Sequence, residues 1–202
     1  MIHNIVFDMS NTLIPFETKF MMQNAGVPEE DYELFRLEVV HSQEWQAMDR
    51  GAMEEEEAIR RMCENLPEHL HNCVGYFIEH VYEGTSPFSE MYDLVKECQN
   101  AGYQTYLLSN ASTRFYEKQH MIPAISLMDG VFVSCEVKLL KPDPAIYNLF
   151  FERFGLKPET CFFIDDVPSN VEAAAYCGMR GFVFRRDVER LRSSMRKAGV
   201  RV

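Results

Sequence analysis

Two hydrophobic rhythms alternate along the chain. Short apolar runs occur at 4–7 ("NIVF"), 103–108 ("YQTYLL"), 131–133 ("VFV"), 161–164 ("CFFI") and 181–184 ("GFVF"). They are rich in Val, Ile, Phe and Tyr and apolar on both faces, as strands of a parallel sheet covered by helices are. Between them, apolar residues recur at helical spacing. Met91, Leu94, Val95 and Cys98 form one stripe, closed by Gly102. Ile146, Leu149, Phe150 and Phe154 form a second, opened by Asp143-Pro144 and closed by Gly155. Val171, Ala174 and Ala175 form a third, closed by Gly178, and Val188, Leu191 and Met195 a fourth. An acid as cap, proline in the first turn and glycine past the end mark where such helices start and stop. The alternation predicts an α/β fold with a doubly wound, mostly parallel, Rossmann-like sheet.

The alternation is interrupted once. From residue 17 to about 84 only helical periodicity appears. Tyr32, Phe35 and Val39 keep it, as do Ile59, Met62, Cys63 and Leu66, then Leu70, Cys73, Val74, Phe77, Ile78 and Val81. This predicts a core domain of residues 1–16 and 85–202 and a helical cap domain of residues 17–84, inserted after the first strand. "LIPFE" (13–17) and "EGTSPF" (83–88) would be its two linkers. A helical unit on two linkers can open and close over a site.

Composition narrows the class. The 202 residues are 47% hydrophobic and 25% charged, enough for a real core. A net charge of -11 argues against nucleic acid and against an anionic membrane surface, though not against a small anion in a local pocket. The six cysteines form no CxxC pair and sit within apolar segments, so they read as reduced core residues. His69 and His71 are two apart, the wrong spacing for one helical face. No basic-then-apolar leader opens the chain and no apolar run approaches 18 residues. The expectation is a soluble, cytoplasmic protein of undetermined oligomeric state.

The chemistry gathers where the strands end. Ligands of an open α/β sheet bind outside the carboxyl ends of its strands. Asp8 follows "NIVF", Ser109 and Asn110 follow "YQTYLL", and Asp165 and Asp166 follow "CFFI". Lys141 lies in "KLLKPDP", just before a helix start, and is preferred there to Lys138. Two carboxylates about 4 Å apart repel by roughly 4 kcal/mol at an effective dielectric of 20, so three on one rim need a counter-charge. An all-oxygen set suits Mg²⁺. With Lys141 as a fixed cation and Ser109 and Asn110 as neutral donors, the set makes a seat for a phosphoryl group facing Asp8.

"FDMSNTL", "LLSNAS", "KPDPAIY" and "FFIDDVPSNVEAA" resemble, in order, the four motifs of the haloacid dehalogenase-like (HAD) superfamily. The resemblance covers about 1–15 and 88–185, and it is nearest to the small sugar-phosphate phosphatases whose first motif reads D-x-G-N. The insertion falls where this superfamily carries its C1-type helical cap. The resemblance implies a Mg²⁺-dependent phosphatase acting on a small phosphorylated metabolite, a sugar phosphate among the candidates. Asp8 would be the nucleophile of a phosphoaspartyl intermediate and a metal ligand. Ser10 would offer its backbone carbonyl to the metal. Ser109 would bind the phosphoryl group, and Lys141 would hold both that group and the nucleophile. Asp166 would be the direct metal ligand of the last motif, and Asp165 a ligand or a group that holds one.

Ser10 departs from the pattern, because superfamily phosphatases place an aspartate there as general acid and base. Losing such a group forfeits about 10²–10⁴ in rate. Three readings stand beside one another. One is a phosphatase that acts on good leaving groups or borrows an acid from the cap. Another is a phosphate-binding or regulatory protein with little turnover. The third is a metal-free 2-haloacid dehalogenase, against which the paired acids 165–166 speak. In the cap, "WQAMDRG" (45–51) reads as a turn where Asp49 or Arg50 could meet substrate, or where Trp45 is simply core. Glu54–Glu57 read as the exposed first turn of a helix. Arg114 could meet an anionic substrate or pair with a nearby acid. Asn170 could orient the 165–166 loop or cap locally.

Overall fold

Five parallel strands make one sheet in the order β3-β2-β1-β4-β5, with the N-terminal strand in the middle. The computed structural model describes residues 1–202. The strands are β1 (Asn4–Phe7), β2 (Gln104–Ser109), β3 (Gly130–Val133), β4 (Cys161–Asp165) and β5 (Arg180–Val183), each within about a residue of its predicted place. Phe7 pairs with Leu107 on one side and Ile164 on the other, so β1, β2 and β4 end level with one another. Successive side chains point to opposite faces. Ile5, Phe7, Leu107, Phe162 and Ile164 enter one apolar cluster, and Val6, Tyr106, Leu108 and Phe163 enter the other.

Eleven α-helices accompany the sheet. Between β1 and β2 run α1 (Thr18–Asn24), α2 (Tyr32–Phe35), α3 (Gln43–Asp49), α4 (Glu55–Glu64), α5 (His71–Glu79) and α6 (Ser89–Asn100). Next come α7 (Phe115–Lys118), α8 (Ser134–Val137), α9 (Pro144–Phe154), α10 (Pro168–Tyr176) and α11 (Val188–Lys197). The stripes of α6 and α11 pack on the first sheet face, and those of α9 and α10 on the second. Asp143 caps α9 by accepting from the Ala145 N–H at 2.9 Å, and Gly155 ends it in the left-handed region. The spacing of Tyr32, Phe35 and Val39 predicts one even helix, but the turn widens to a π-helix over Arg36–Val40. Between β2 and β3 the crossover is a series of short helical turns, with Pro123 opening one of them.

The inserted helices share an apolar cluster with the rest of the chain. Phe35, Met62, Val74 and Phe77 belong to the same apolar cluster as Leu13, Leu94 and Phe115. The two connecting segments run side by side, with the Phe88 N–H donating to Leu13 O at 2.9 Å. Arg114, offered above two roles, pairs with Glu55 at the start of α4 and with Glu117. The turn after α3 lies against α8. The Ser134 hydroxyl accepts from the Ala111 N–H and donates to Asp49 O. Gly51 has φ +67°, and a Cβ there would lie 2.2 Å from Cys135 O. Gly51→Ala should therefore cost well over ~1 kcal/mol of stability, since alanine at positive φ is strained even without a clash. Urea unfolding would measure it.

Candidate active site

The sheet's level edge brings the predicted residues together. Asp8 leaves β1 with its N–H on Ile164 O at 2.8 Å, which wedges it between β2 and β4. Lys141 comes from the loop before α9 and is 4% exposed. Its ammonium donates to Asp8 Oδ1 at 2.6 Å, to Asp165 Oδ2 at 2.7 Å and to Leu108 O at 2.9 Å. All three N–H bonds are thus used, and the ring of Phe163 lies 5.3 Å from the nitrogen. Lys138, the rival lysine, is exposed.

The two acids of β4 have different surroundings. Asp165 is fully buried, and its oxygens accept from Lys141, from the Val167 N–H at 2.8 Å and from the Asn170 amide at 3.0 and 3.1 Å. Asn170 therefore orients the loop. Asp166 faces the cavity and accepts from Asn11 Nδ2 at 3.1 Å. Carboxylate oxygens of Asp8, Asp165 and Asp166 all lie within 4.8 Å of one another. Burial, aided by the charges of Asp165 and Asp166, pushes the Asp8 carboxyl up to about 7, while Lys141 pulls it down. Burial also works against the Lys141 ammonium, but Asp165 and Asp8 outweigh it and hold its pKa above the ordinary lysine value.

The remaining predicted residues occupy unequal positions. Ser109 is buried behind the cavity wall, with only a long 3.5 Å contact from its hydroxyl to Asn110 O. Asn110 borders the cavity, but its carboxamide is committed to the lysine loop. It donates to Lys141 O and accepts from the Lys141 N–H, both at 2.9 Å. The Asn110 side chain thereby grips the loop that carries Lys141. Ser10 sits at the cavity, its hydroxyl 2.5 Å from Tyr82 OH.

Sequence reasoning missed two participants. Tyr82 directly follows the apolar stripe that ends at Val81, yet its phenol reaches the Ser10 hydroxyl from the far end of the insertion. Burial is the main influence pushing its pKa up. Asn11 was not singled out, although its φ of +53° is a conformation that asparagine tolerates better than most residues. Its side-chain Oδ1 accepts from the Phe16 N–H at 3.0 Å and from Arg186 at 3.2 Å.

Asp8, Ser10, Lys141 and Asp166 open onto a cavity of about 270 Å³. The insertion supplies Trp45, Met48, Asp49, Ile78, Val81 and Tyr82 to its wall. Trp45 is both cavity wall and insertion core, its ring packed against Phe16 and Phe77. The six cysteines are free thiols. No helix is long and apolar enough to cross a membrane.

Comparison with known proteins gives concordant results. Residues 2–178 match the haloacid dehalogenase-like hydrolase family. The chain is 25% identical over 170 residues to flavin mononucleotide hydrolase 1 of Arabidopsis thaliana, covering 82% of this chain and 66% of that one. It is 23% identical over 185 residues to a sesquiterpene phosphatase of Aspergillus oryzae, covering 87% of this chain and 86% of that one. A HAD family enzyme of Bacteroides thetaiotaomicron, solved with magnesium and inorganic phosphate, superposes with a TM-score of 0.73 at 20% identity. The match covers 93% of this chain and 96% of that structure, and at this identity it speaks for the fold.

Proposed function

Since the chain belongs to the haloacid dehalogenase-like hydrolase family, we propose that it is a Mg²⁺-dependent phosphomonoesterase working through a phosphoaspartyl intermediate on Asp8. The observation that carries this reading is the buried ammonium of Lys141 bridging Asp8 and Asp165 at 2.6 and 2.7 Å, beside the outward carboxylate of Asp166. The relatives' names, a flavin mononucleotide hydrolase and a sesquiterpene phosphatase, favour a phosphate ester as substrate.

The donor set fits the metal. Three carboxylates within 4.8 Å face one lysine, so the site carries excess negative charge, and all the ligand atoms are the hard oxygens that Mg²⁺ takes. Asp8, Asp166 and the Ser10 carbonyl would hold it, with Asp165 a ligand or the group that fixes the others. When bound, it would neutralise the carboxylates and a phosphoryl oxygen, so that Asp8 could attack without repulsion.

The chain's own part is positioning. Lys141 holds the Asp8 carboxylate in place and presents positive charge to an arriving phosphoryl group. Ser109, at the end of β2, would turn its hydroxyl toward that group once an acceptor is present. Asp8 Oδ attacks phosphorus, the ester oxygen leaves, and water then releases phosphate from Asp8. Residues 17–84 would act as a cap over a core of 1–16 and 85–202, shielding the attack of Asp8 from bulk water and leaving room for the one water that hydrolyses the acyl phosphate. Phe16, Trp45, Met48, Ile78, Phe115 and Ile122 make the wall largely apolar. That favours a phosphorylated metabolite with a substantial carbon skeleton over a bare, hydroxyl-rich sugar phosphate.

The test is phosphate release from aryl, alkyl and sugar phosphates. Activity should require Mg²⁺, disappear with EDTA and return on readdition. Silence across the whole panel would favour a phosphate-binding protein. Chloride release from a 2-haloacid in EDTA would favour the dehalogenase reading.

A further inference from the structure

Ser10 leaves the family's acid/base position without an acid, and the cavity holds few groups that could replace it. Lys141 is saturated by three acceptors. Arg114 is held by Glu55 and Glu117, and Lys118 by Glu83 at 2.6 Å. Tyr82 is tied to Ser10, and its proton is held too firmly for use near neutrality. Asp166 is bonded to Asn11 and belongs to the carboxylate cluster. One acid on the cavity wall remains outside that cluster. It is Asp49, contributed by the insertion.

We propose that Asp49 is the general acid and base of this enzyme, delivered from the insertion in place of the aspartate absent at position 10. The proposal rests on the phosphatase reading above. Asp49 is the last residue of α3 and lies one helical turn after Trp45, so both present themselves on one face. Its backbone is anchored to the sheet-bearing part of the molecule by the Ser134 hydroxyl. Two residues on, Gly51 lets the chain run directly over Cys135 O. This double attachment fixes a residue of the insertion relative to the strand ends, as a proton donor must be fixed.

The electrostatics suit the task. Burial pushes the Asp49 carboxyl up to about 7, while the Trp45 indole and the Ser112 backbone N–H work in the opposite direction. Its place at a helix C-terminus, the negative end of the dipole, also favours the protonated form. An acid of that strength can both give and take a proton near neutral pH. The charged and titratable groups sharing its cavity are Asp8, Tyr82, Arg114, Lys118, Lys141 and Asp166.

Asp8 Oδ forms a bond to phosphorus, and the bond from phosphorus to the ester oxygen breaks. The electron pair stays on that oxygen, which takes the Asp49 proton and leaves as an alcohol. Asp49, now a carboxylate, accepts a proton from water as the water oxygen bonds to phosphorus. The bond from phosphorus to Asp8 breaks, its electron pair returns to the Asp8 carboxylate, and phosphate departs.

The experiment compares wild type and Asp49→Asn on p-nitrophenyl phosphate and on a simple alkyl phosphate with Mg²⁺. The aryl leaving group needs little protonation, whereas the alkyl one needs a full proton. The variant should lose ~10²–10⁴-fold in kcat/KM on the alkyl ester. That loss should exceed its loss on the aryl ester by about 10²-fold or more. Equal losses on both esters, or none on either, would overturn the proposal. Circular dichroism and melting temperature establish that Asp49→Asn is folded before the losses are compared; if it is not, Asp49→Glu is compared instead, and a loss no greater on the alkyl than on the aryl ester overturns the proposal. Absence of Mg²⁺-dependent activity in the wild type would instead sink the phosphatase reading, and this proposal with it.

Discussion

Replacing Asp8 with Asn is expected to cut phosphate release by ~10⁴-fold or more, the scale seen when a covalent nucleophile is removed, and to leave the fold at least as stable. The two effects share one cause. Asp8 is buried at the end of β1 beside two other acids, and its ionised form is disfavoured enough to lift its pKa to about 7. Asparagine keeps the shape and sheds the charge, so Lys141 then faces Asp165 alone. Without divalent ions, the variant should melt at the wild-type temperature or a few degrees higher. Phosphate-release assays and thermal scans check the two halves independently. A variant keeping more than a hundredth of wild-type turnover would mean that another group attacks phosphorus. Function would here hold a residue that stability alone would discard.

Lys141→Met should go the other way on stability while also losing turnover. The ammonium is the single cation between two buried carboxylates and is itself almost inaccessible. Removing one partner of a buried ion pair typically costs ~3–5 kcal/mol, because the charges left behind are unpaired. At ~2–4 °C per kcal/mol for a chain of this size, melting should fall by roughly 6–20 °C. Turnover should drop by about 10²–10³-fold from the loss of a positioned charge. Adding Asp8→Asn to Lys141→Met should recover part of the stability, since one orphaned carboxylate disappears. A double variant whose stability is simply the sum of the two single effects would show that the pair is not coupled.

What the sequence revealed follows from what is local. Strands of a sheet covered on both faces are apolar runs whatever their partners, so "NIVF" and "CFFI" were legible without knowing that they are neighbours. Asp8, Asp165 and Lys141 could be gathered because each sits at the end of a strand or the start of a helix, and topology assigns such ends to one rim. The fates of Asn110 and Tyr82 were not legible. Whether a carboxamide points at a ligand or back at the lysine loop depends on a few dihedral angles that no spacing encodes. The Tyr82 ring has the periodicity of core, and the pattern says where a ring is buried but not what its hydroxyl touches. The π-turn over Arg36–Val40 was hidden for a related reason, since a widened turn keeps nearly the same apolar stripe. Ser10 was visible as a departure. An acid borrowed from the cap was already among the readings, but Asp49 could be chosen only once its turn was seen resting on residues 134–135.

The central place of β1 has a consequence for how this protein comes into being. The strand that carries Asp8 is made before the other four of its sheet, yet both of its neighbours lie far downstream, starting at Gln104 and Cys161. Until the second of them emerges, an apolar ribbon with at least one unmatched edge must wait, shielded only by the helices made in between. The nascent enzyme therefore acquires its seat late and all at once. A chain arrested anywhere before Cys161 would hold Asp8 with neither the acid pair beside it nor the strand that supports them.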